Sequence, residues 1–321
     1  MSFSRWVSML IAACACSGAA LAQIYPNKPI RVIIPAAPGD SCDVLVRLVA
    51  PKVGERLGQP PVIDNRPGSG GQLGLTLLKQ SPADGYTLAC GQGDNMVIVP
   101  LAYEKVAYDA QKDFAPVALM ASNFLALAVN PDTPFKTTKD LIDFAKANPG
   151  KVSFASFGSG STSHIYGEML KAAAGLDMVH VPYKGAGPAV QDVIAGHAQM
   201  AIQDFAAIGP HLRSGRLVAL AVTGPKRWPA VPELRTFVEQ GYPLDIAGWN
   251  GIMAPAGTPR AIVERMSVEI NKIIQTPDGR DQMLKFGLLA TGTTPEELAD
   301  VIRRDTPRWG EVIRKGNIKA Q

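Results

Sequence analysis

The chain of 321 residues is poor in the residue types that build metal centres and nucleic-acid surfaces. It has four cysteines and four histidines, with no CxxC, zinc-type Cys/His spacing or HExxH, so we expect no metal site. The formal net charge of +4 is too small and too dispersed for a dedicated nucleic-acid binder. With 46% hydrophobic and 19% charged residues, the chain is globular and not disordered. Its length suggests two domains, although a single α/β barrel would also fit.

Motifs of three common enzyme classes are also missing. Residues 156–160 read SFGSG, which is not the GxSxG of a nucleophile elbow. The glycines from residue 68 onward do not form GxGxxG, because Leu73 occupies the last position. No P-loop lysine follows a glycine run. The sequence therefore favours a binding protein over an enzyme; an exported hydrolase that uses Ser161 and His164 is the enzymatic alternative.

The first 22 residues have the pattern of a secretory signal peptide. Arg5 precedes a mostly apolar run over residues 6–15, and residues 20–22 read ALA, which fits an A-x-A cleavage site. The run is too short for a membrane anchor, and no later stretch is long enough to span a bilayer. An alternative is a lipoprotein, since residues 11–14 (IAAC) resemble a lipobox that would leave Cys14 acylated. The pattern predicts export.

Loss of the signal would leave Cys42 and Cys90. An exported compartment permits a disulfide. We expect the two residues to lie near one another, because they follow or end the first and third predicted strands, which are usually neighbours. We expect separate thiols, because Cys42 is predicted on a loop that must adapt to a ligand.

Strands and helices alternate from residue 29 onward. Strands are predicted over residues 29–35, 62–64 and 86–90, with helices over 43–57 and 70–79 between them. This β-α-β-α-β order predicts an α/β fold with a parallel, doubly wound sheet. A second set of the same kind follows, with strands over 117–129, 152–156, 179–182, 200–202 and 217–222 and helices over 137–147, 162–174 and 188–195.

A late strand over residues 249–254 and two closing helices over 259–275 and 295–315 complete the prediction. The two α/β sets are joined by the long early strand and by this late returning strand. Such a chain is expected to form two doubly wound lobes with a ligand cleft between them.

Five segments carry a family resemblance: residues 65–71 (NRPGSGG), 82–88 (PADGYTL), 181–185 (VPYKG), 219–223 (ALAVT) and 249–259 (WNGIMAPAGTP). In this order they resemble the periplasmic solute-binding receptors of tripartite tricarboxylate transporters, the Bug or TctC-like family. The resemblance runs from about Tyr25 to the C-terminus. It implies the type II periplasmic-binding fold, with lobe one formed by residues 23–123 and 247–321 and lobe two by residues 124–246.

The resemblance also implies a function. Such a receptor would capture a small carboxylate, without a cofactor, and deliver it to a membrane permease; we expect it to act as a monomer. A periplasmic sensor that partners a signalling protein would share the fold and is the alternative.

Two glycine-containing loops that precede helices are the candidate ligand-binding loops. Loop one (residues 35–43) and loop two (residues 157–164) each place backbone N–H groups at a helix N-terminus, which favours anions. An ordinary capped turn is the alternative for loop one. The resemblance implies that both loops hold the proximal carboxylate, partly through ordered water. The candidate ligand-binding residues are Pro38, Gly39, Asp40, Ser41, Cys42, Asp43, Gly158, Ser159, Gly160, Ser161, Ser163 and His164.

Further candidates lie at the ends of predicted strands, where side chains can reach the cleft. They are Gln92, Asn95, Tyr183, Gly185 and Asp204, with Asp94 and Lys184 beside them.

The chain departs from the family pattern at two positions of loop one. Asp40 and Cys42 stand where the family usually has glycine and threonine. An inward Asp40 would oppose a carboxylate ligand, but we expect it to cap its own helix, because short polar residues readily do so.

Overall fold

The computed structural model describes residues 25–315 and Ile318. The predicted signal peptide and the alternative lipobox lie outside the described residues. Within residues 25–315, no helix combines the length and the apolar character that crossing a bilayer requires.

The strands, in chain order, are β1 (Arg31–Ile34), β2 (Val62–Asn65), β3 (Thr87–Gln92), β4 (Phe114–Asn123), β5 (Leu125–Val129), β6 (Val152–Ser156), β7 (Met178–Pro182), β8 (Met200–Asp204), β9 (Val218–Val222), β10 (Gly248–Pro255) and β11 (Leu288–Ala290). The α-helices are α1 (Ser41–Leu57), α2 (Gln72–Lys79), α3 (Val99–Ala102), α4 (Thr138–Ala147), α5 (Thr162–Ala174), α6 (Ala186–Ile194), α7 (Phe205–Arg213), α8 (Arg260–Ile274), α9 (Pro277–Lys285) and α10 (Pro295–Lys315). Short turns of other helix types cover Ser69–Gly71, Asp94–Ile98 and Val238–Gln240.

The strands form two mixed sheets. The first has six strands in the order β11-β4-β10-β3-β1-β2, and the second has five in the order β7-β6-β8-β5-β9. Strands joined by βαβ crossovers pair in parallel, as β2-β1-β3 and β7-β6-β8 do. The remaining pairs are antiparallel. The predicted two-lobed α/β fold is confirmed. The predicted parallel sheets are mixed, because β5 and β10 arrive from the other lobe in the opposite direction and β11 pairs antiparallel with β4.

The predicted long strand over residues 117–129 is in fact two strands in different sheets. β4 ends at Asn123 and β5 begins at Leu125. Phe124 between them is buried and its ring packs against Trp228 at a centroid distance of 5.2 Å. The chain returns to the first sheet with β10. These crossings support our proposed lobe boundaries at 123/124 and 246/247.

The helices cover the sheets with their apolar faces. Leu45, Val49 and Val53 on α1 are buried, at the helical spacing that the sequence predicts, and join Ile270 of α8 in one cluster over the first sheet. In the second sheet every residue of β5 is buried, because it is a central strand with both faces covered.

Three helices and one strand were not predicted from the sequence: α3, α7, α9 and β11. α7 contains Pro210 inside the helix, which lowers helix propensity, and β11 has only three residues. Such short or interrupted patterns are recognisable only once the neighbouring elements pack against them.

Cys42 and Cys90 form a disulfide, with a Cα–Cα distance of 6.1 Å. The prediction that they lie close together is confirmed, since β1 pairs with β3. The prediction of separate thiols is wrong. Cys42 is not on an adapting loop: α1 begins at Ser41, two residues earlier than predicted, and the side chain is fully buried.

Candidate functional site: the cleft between the lobes

Two adjoining cavities lie where the two lobes meet. Their volumes are about 590 Å³ and about 790 Å³. The residues that line both of them are Asp40, Gln92, Asp94, Phe157, Lys184 and Gly185. The first three end or follow strands of the first sheet, and the last three follow strands of the second. A polar cavity lined from two lobes is a common location for a small-molecule site.

Loop one connects β1 to the N-terminus of α1. Gly39 adopts a φ of +87°, a conformation that favours glycine, and its N–H donates to the carboxylate of Asp43 at 2.9 Å. Asp40 is the N-cap, and its Oδ1 accepts from the N–H of Cys42 at 2.9 Å. The amide of Gln92 donates to the same Oδ1 at 3.0 Å. Asp40 therefore caps its own helix as expected, while it also lines the cleft.

Loop two connects β6 to the N-terminus of α5. Ser161 is the N-cap, with its Oγ accepting from the N–H of His164 at 3.3 Å and donating to the carbonyl of Gly158 at 2.6 Å. Gly160 has a φ of +73°, and its N–H donates to Nδ1 of His164 at 3.1 Å. The loop is thus a closed set of local hydrogen bonds at the edge of the cavity.

Three carboxyl groups line the smaller of the two cavities: those of Asp40, Asp94 and Asp204. Burial, with a contribution from the neighbouring carboxylates, raises the pKa of Asp40 to about 6 and that of Asp204 to about 7. Burial also raises the pKa of Asp94. In the described part of the chain, no group of three His, Cys, Asp or Glu side chains could hold a metal ion. The pKa values of Asp40 and Asp204 therefore lie near neutral pH.

Asp94 makes a contact across the cleft. It begins the π-helical turn Asp94–Ile98 after β3, and its Oδ1 accepts hydrogen bonds from the hydroxyl and, at 3.1 Å, from the N–H of Thr162. Thr162 is the first residue of α5. A helix N-terminus is a favourable position for an anion, and here an internal carboxylate occupies it. A ligand carboxylate that approached α5 would compete with Asp94.

Most of the residues singled out in the sequence line one of the two cavities. They are Pro38, Gly39, Asp40, Ser41, Gln92, Gly158, Ser159, Gly160, Ser161, Gly185 and Asp204. The candidates that do not line either cavity are Cys42, Asp43, Asn95, Ser163, His164 and Tyr183.

Each of these six has another partner. Cys42 is bonded to Cys90, and Asp43 pairs with Arg47 on the next turn of α1. Asn95 is buried, and its Oδ1 accepts from the N–H of Gln92 at 2.9 Å.

The other three lie in the second lobe. Ser163 donates to the carbonyl of Ile202, and the Tyr183 hydroxyl donates to Asp192. His164 is buried behind loop two. Local sequence places all six next to the cleft, but their side chains turn away from it to hold the loops.

Several lining residues were not among the sequence candidates. Thr162 directly follows the N-cap of loop two, so the motif that found its neighbours could have included it. Asn123 donates to Asp204 at 2.9 Å, and His211 lines the cleft from α7. No local motif marks these two, because only the packing of the lobes brings them to the site.

In a comparison with known proteins, a protein family and a relative each match most of the chain. The family "TctC: Tripartite tricarboxylate transporter family receptor" matches residues 45–318. Protein BugT of Bordetella pertussis is 33% identical over 315 residues, which covers 98% of this chain and 97% of BugT.

Two solved structures with bound carboxylates are also similar. Rpa4515 of R. palustris, determined with adipate, superposes with a TM-score of 0.86 at 31% identity, covering 92% of this chain and 99% of that chain. MatC of Rhodopseudomonas palustris, with bound malate, has a TM-score of 0.81 at 29% identity, covering 90% of this chain and 100% of that chain.

Proposed function

This chain belongs to the family of tripartite tricarboxylate transporter receptors, and from that premise we propose that it captures a small carboxylate-bearing metabolite in the periplasm and delivers it to a membrane permease. The family consists of solute-binding receptors, and two similar structures contain adipate and malate. The ligand class and the permease are our extension to this chain.

The observation that carries the proposal is the larger of the two cleft cavities, which has a helix N-terminus on either side. Loop one and loop two both line it, and they begin α1 and α5. The positive ends of two helix dipoles favour negative charge between them. Asp40 at α1 and Asp94 at α5 hold these positions in the structure, so a ligand carboxylate would take the place of Asp94 at α5. The exposed Lys184 also lines both cavities and adds a positive charge.

The carboxyl groups of the cleft are compatible with an anionic ligand if they take up protons. A bound carboxylate would raise the pKa values of Asp40 and Asp204 above about 6 and about 7, because like charges disfavour ionisation. The complex would then hold more protons than the free receptor. By linkage, the affinity for a carboxylate should rise as the pH falls from about 8 toward 6.

The first experiment is to identify small molecules that co-purify with the native protein by mass spectrometry. Calorimetry then measures adipate, malate and any molecule found, with the corresponding uncharged amides as controls. We expect carboxylates to bind and the amides to bind weakly or not at all. Preferential binding of amides or amines, at every pH, would exclude the carboxylate assignment.

Closure and delivery are tested separately. A ligand that touches both lobes stabilises the closed state, so X-ray scattering should give a smaller radius of gyration at saturation. Crosslinking of the liganded protein in its native membrane fraction should capture a permease. Capture of a sensor kinase instead would favour the signalling alternative.

Export is also part of the proposal. We expect N-terminal sequencing of the periplasmic protein to start at Gln23, as cleavage after the ALA motif requires. A lipid-modified Cys14 at the mature N-terminus would show the lipoprotein form instead.

A further inference from the structure

Two histidine rings stack directly behind loop two. His164 on α5 and His180 on β7 have ring centroids 3.7 Å apart and planes only 8° from parallel. The Phe154 ring stacks on His180 at a centroid distance of 4.9 Å. Neither histidine lines the cavities of the cleft. The pair therefore has no direct contact with the proposed ligand position.

Each ring is instead connected to a glycine of loop two. Nδ1 of His164 accepts the N–H of Gly160 at 3.1 Å. Nε2 of His180 lies 2.7 Å from the hydroxyl oxygen of Ser156, which itself accepts the N–H of Gly158 at 3.2 Å. Gly158 and Gly160 both line the cleft. The two rings thus hold the two glycines, one directly and one through Ser156.

The hydrogen bond from Gly160 requires a neutral His164. A protonated imidazole has no lone pair left to accept an N–H, so Nδ1 must be unprotonated. Two charged rings at this separation would also repel one another. Burial, reinforced by the positive charge of Lys171, lowers the pKa of His180 to about 4, with His164 contributing in the same direction.

The charged groups around the pair act in opposite directions, and burial decides in favour of the neutral state. Nε2 of His164 lies 3.9 Å from Glu168, which favours protonation, but Lys171 pairs with that carboxylate at 2.8 Å. Lys171 also lies 6.0 Å from the centre of the Phe154 ring. Burial outweighs Glu168 and lowers the pKa of His164.

We propose that His164 and His180 are positioning residues: as a neutral stacked pair they hold residues 158–161 in the ligand-binding shape, and protonation of the pair releases this loop. The proposal rests on the proposed function, because it requires loop two to contact the ligand. It predicts an acid limit to binding. Affinity for a carboxylate should rise from about pH 8 to 6 through the cleft carboxyls and then fall as the histidines become protonated.

The experiment compares two variants at the same position with adipate and malate as probes. His164→Asn places an amide oxygen near the position of Nδ1 but does not titrate. We expect its affinity at pH 7 to remain within about twofold of wild type and its acid limit to move to lower pH. His164→Leu removes the acceptor and should bind about three- to tenfold more weakly at pH 7, the usual effect of one lost hydrogen bond. His197→Asn is the control, because the exposed His197 contacts Asp192 and lines neither cavity of the cleft.

A ligand-free measurement separates this proposal from the proposed function. NMR should show the Gly160 amide resonance shifting with the midpoint of the histidine ring resonances, and this shift should vanish in His164→Asn. The positioning role would be overturned if His164→Asn had an unchanged acid limit of binding. It would also be overturned if the Gly160 amide shift did not follow the titration of the histidine rings. Failure of the wild type to bind any carboxylate would refute the proposed function alone.

Discussion

Loop one and loop two have the same position in their lobes, but different kinds of bond anchor them to the rest of the lobe. Each follows a parallel strand, contains a glycine with positive φ and ends at the N-cap of a helix. Loop one is tied covalently, through Cys42 and Cys90. Loop two is tied by the hydroxyl of Ser156 and by the rings of His164 and His180.

The difference in anchors predicts a difference in response. A disulfide holds loop one together with the hydrogen bonds that Asp40 and Asp43 accept, so reductant should weaken that region. Neutral imidazoles hold loop two, so acid should weaken it. The two loops should therefore respond to different treatments, loop one to reductant and loop two to acid.

The largest expected effect comes from removing the covalent anchor. The double variant Cys42→Ala/Cys90→Ala releases a crosslink between residues 48 positions apart, which increases the freedom of the unfolded chain. We expect the free energy of unfolding to fall by up to about 4 kcal/mol, measured by urea denaturation. Wild type with reductant should approach the same midpoint. Equal midpoints for the variant and the oxidised wild type would show that the anchor is not covalent in solution.

A smaller effect is expected from the loop-two cap. Ser161→Ala removes the acceptor for the N–H of His164, and we expect a loss of about 1 kcal/mol in unfolding free energy together with weaker adipate binding. Thr137→Ala is the matched control. Thr137 caps α4 with a similar bond to Asp140 and lines neither cavity of the cleft. It should lower stability by a similar amount and leave binding unchanged; equal binding losses in both variants would indicate a general stability effect.

The smallest effect concerns the charge of loop one. Asp40→Asn keeps an oxygen to cap α1 but removes a carboxylate from the cleft. Relief of about 1 kcal/mol of repulsion should raise affinity for adipate roughly fivefold at pH 8, with little change at pH 5. Asp40→Gly should also leave binding intact or stronger, although it loses the cap. Calorimetry at both pH values measures the affinity for adipate. Loss of binding in both variants would show that Asp40 itself contacts the ligand.

The same residue has a predictable effect on stability. The pKa of Asp40 is raised by burial to about 6, above the usual value near 3.8. Its contribution to stability is therefore fully present below about pH 4 and lost as the pH rises through about 6. Comparing urea midpoints of wild type and Asp40→Asn from about pH 4 to 8 isolates this contribution, because the variant carries no titrating group at the position.

The sequence predicted most elements to within a few residues because the apolar periodicity is strong. Val152–Ser156 and Pro295–Lys315 have the predicted bounds. Where the prediction was wrong, distant residues decided the outcome. The break at Phe124 depends on its packing against Trp228, about a hundred positions away in the chain.

The sequence by itself determined the family, the α/β succession and the two glycine loops, since these depend on local periodicity, turn residues and caps. Tertiary structure alone decided what those loops hold and what holds them. The disulfide depends on the helix starting early enough to place Cys42 over β3. The carboxyl of Asp204 joins those of Asp40 and Asp94 only because two separate sheets end at one cleft. Their pKa values then follow from burial and mutual charge, which are properties of distance in space and not of spacing along the chain.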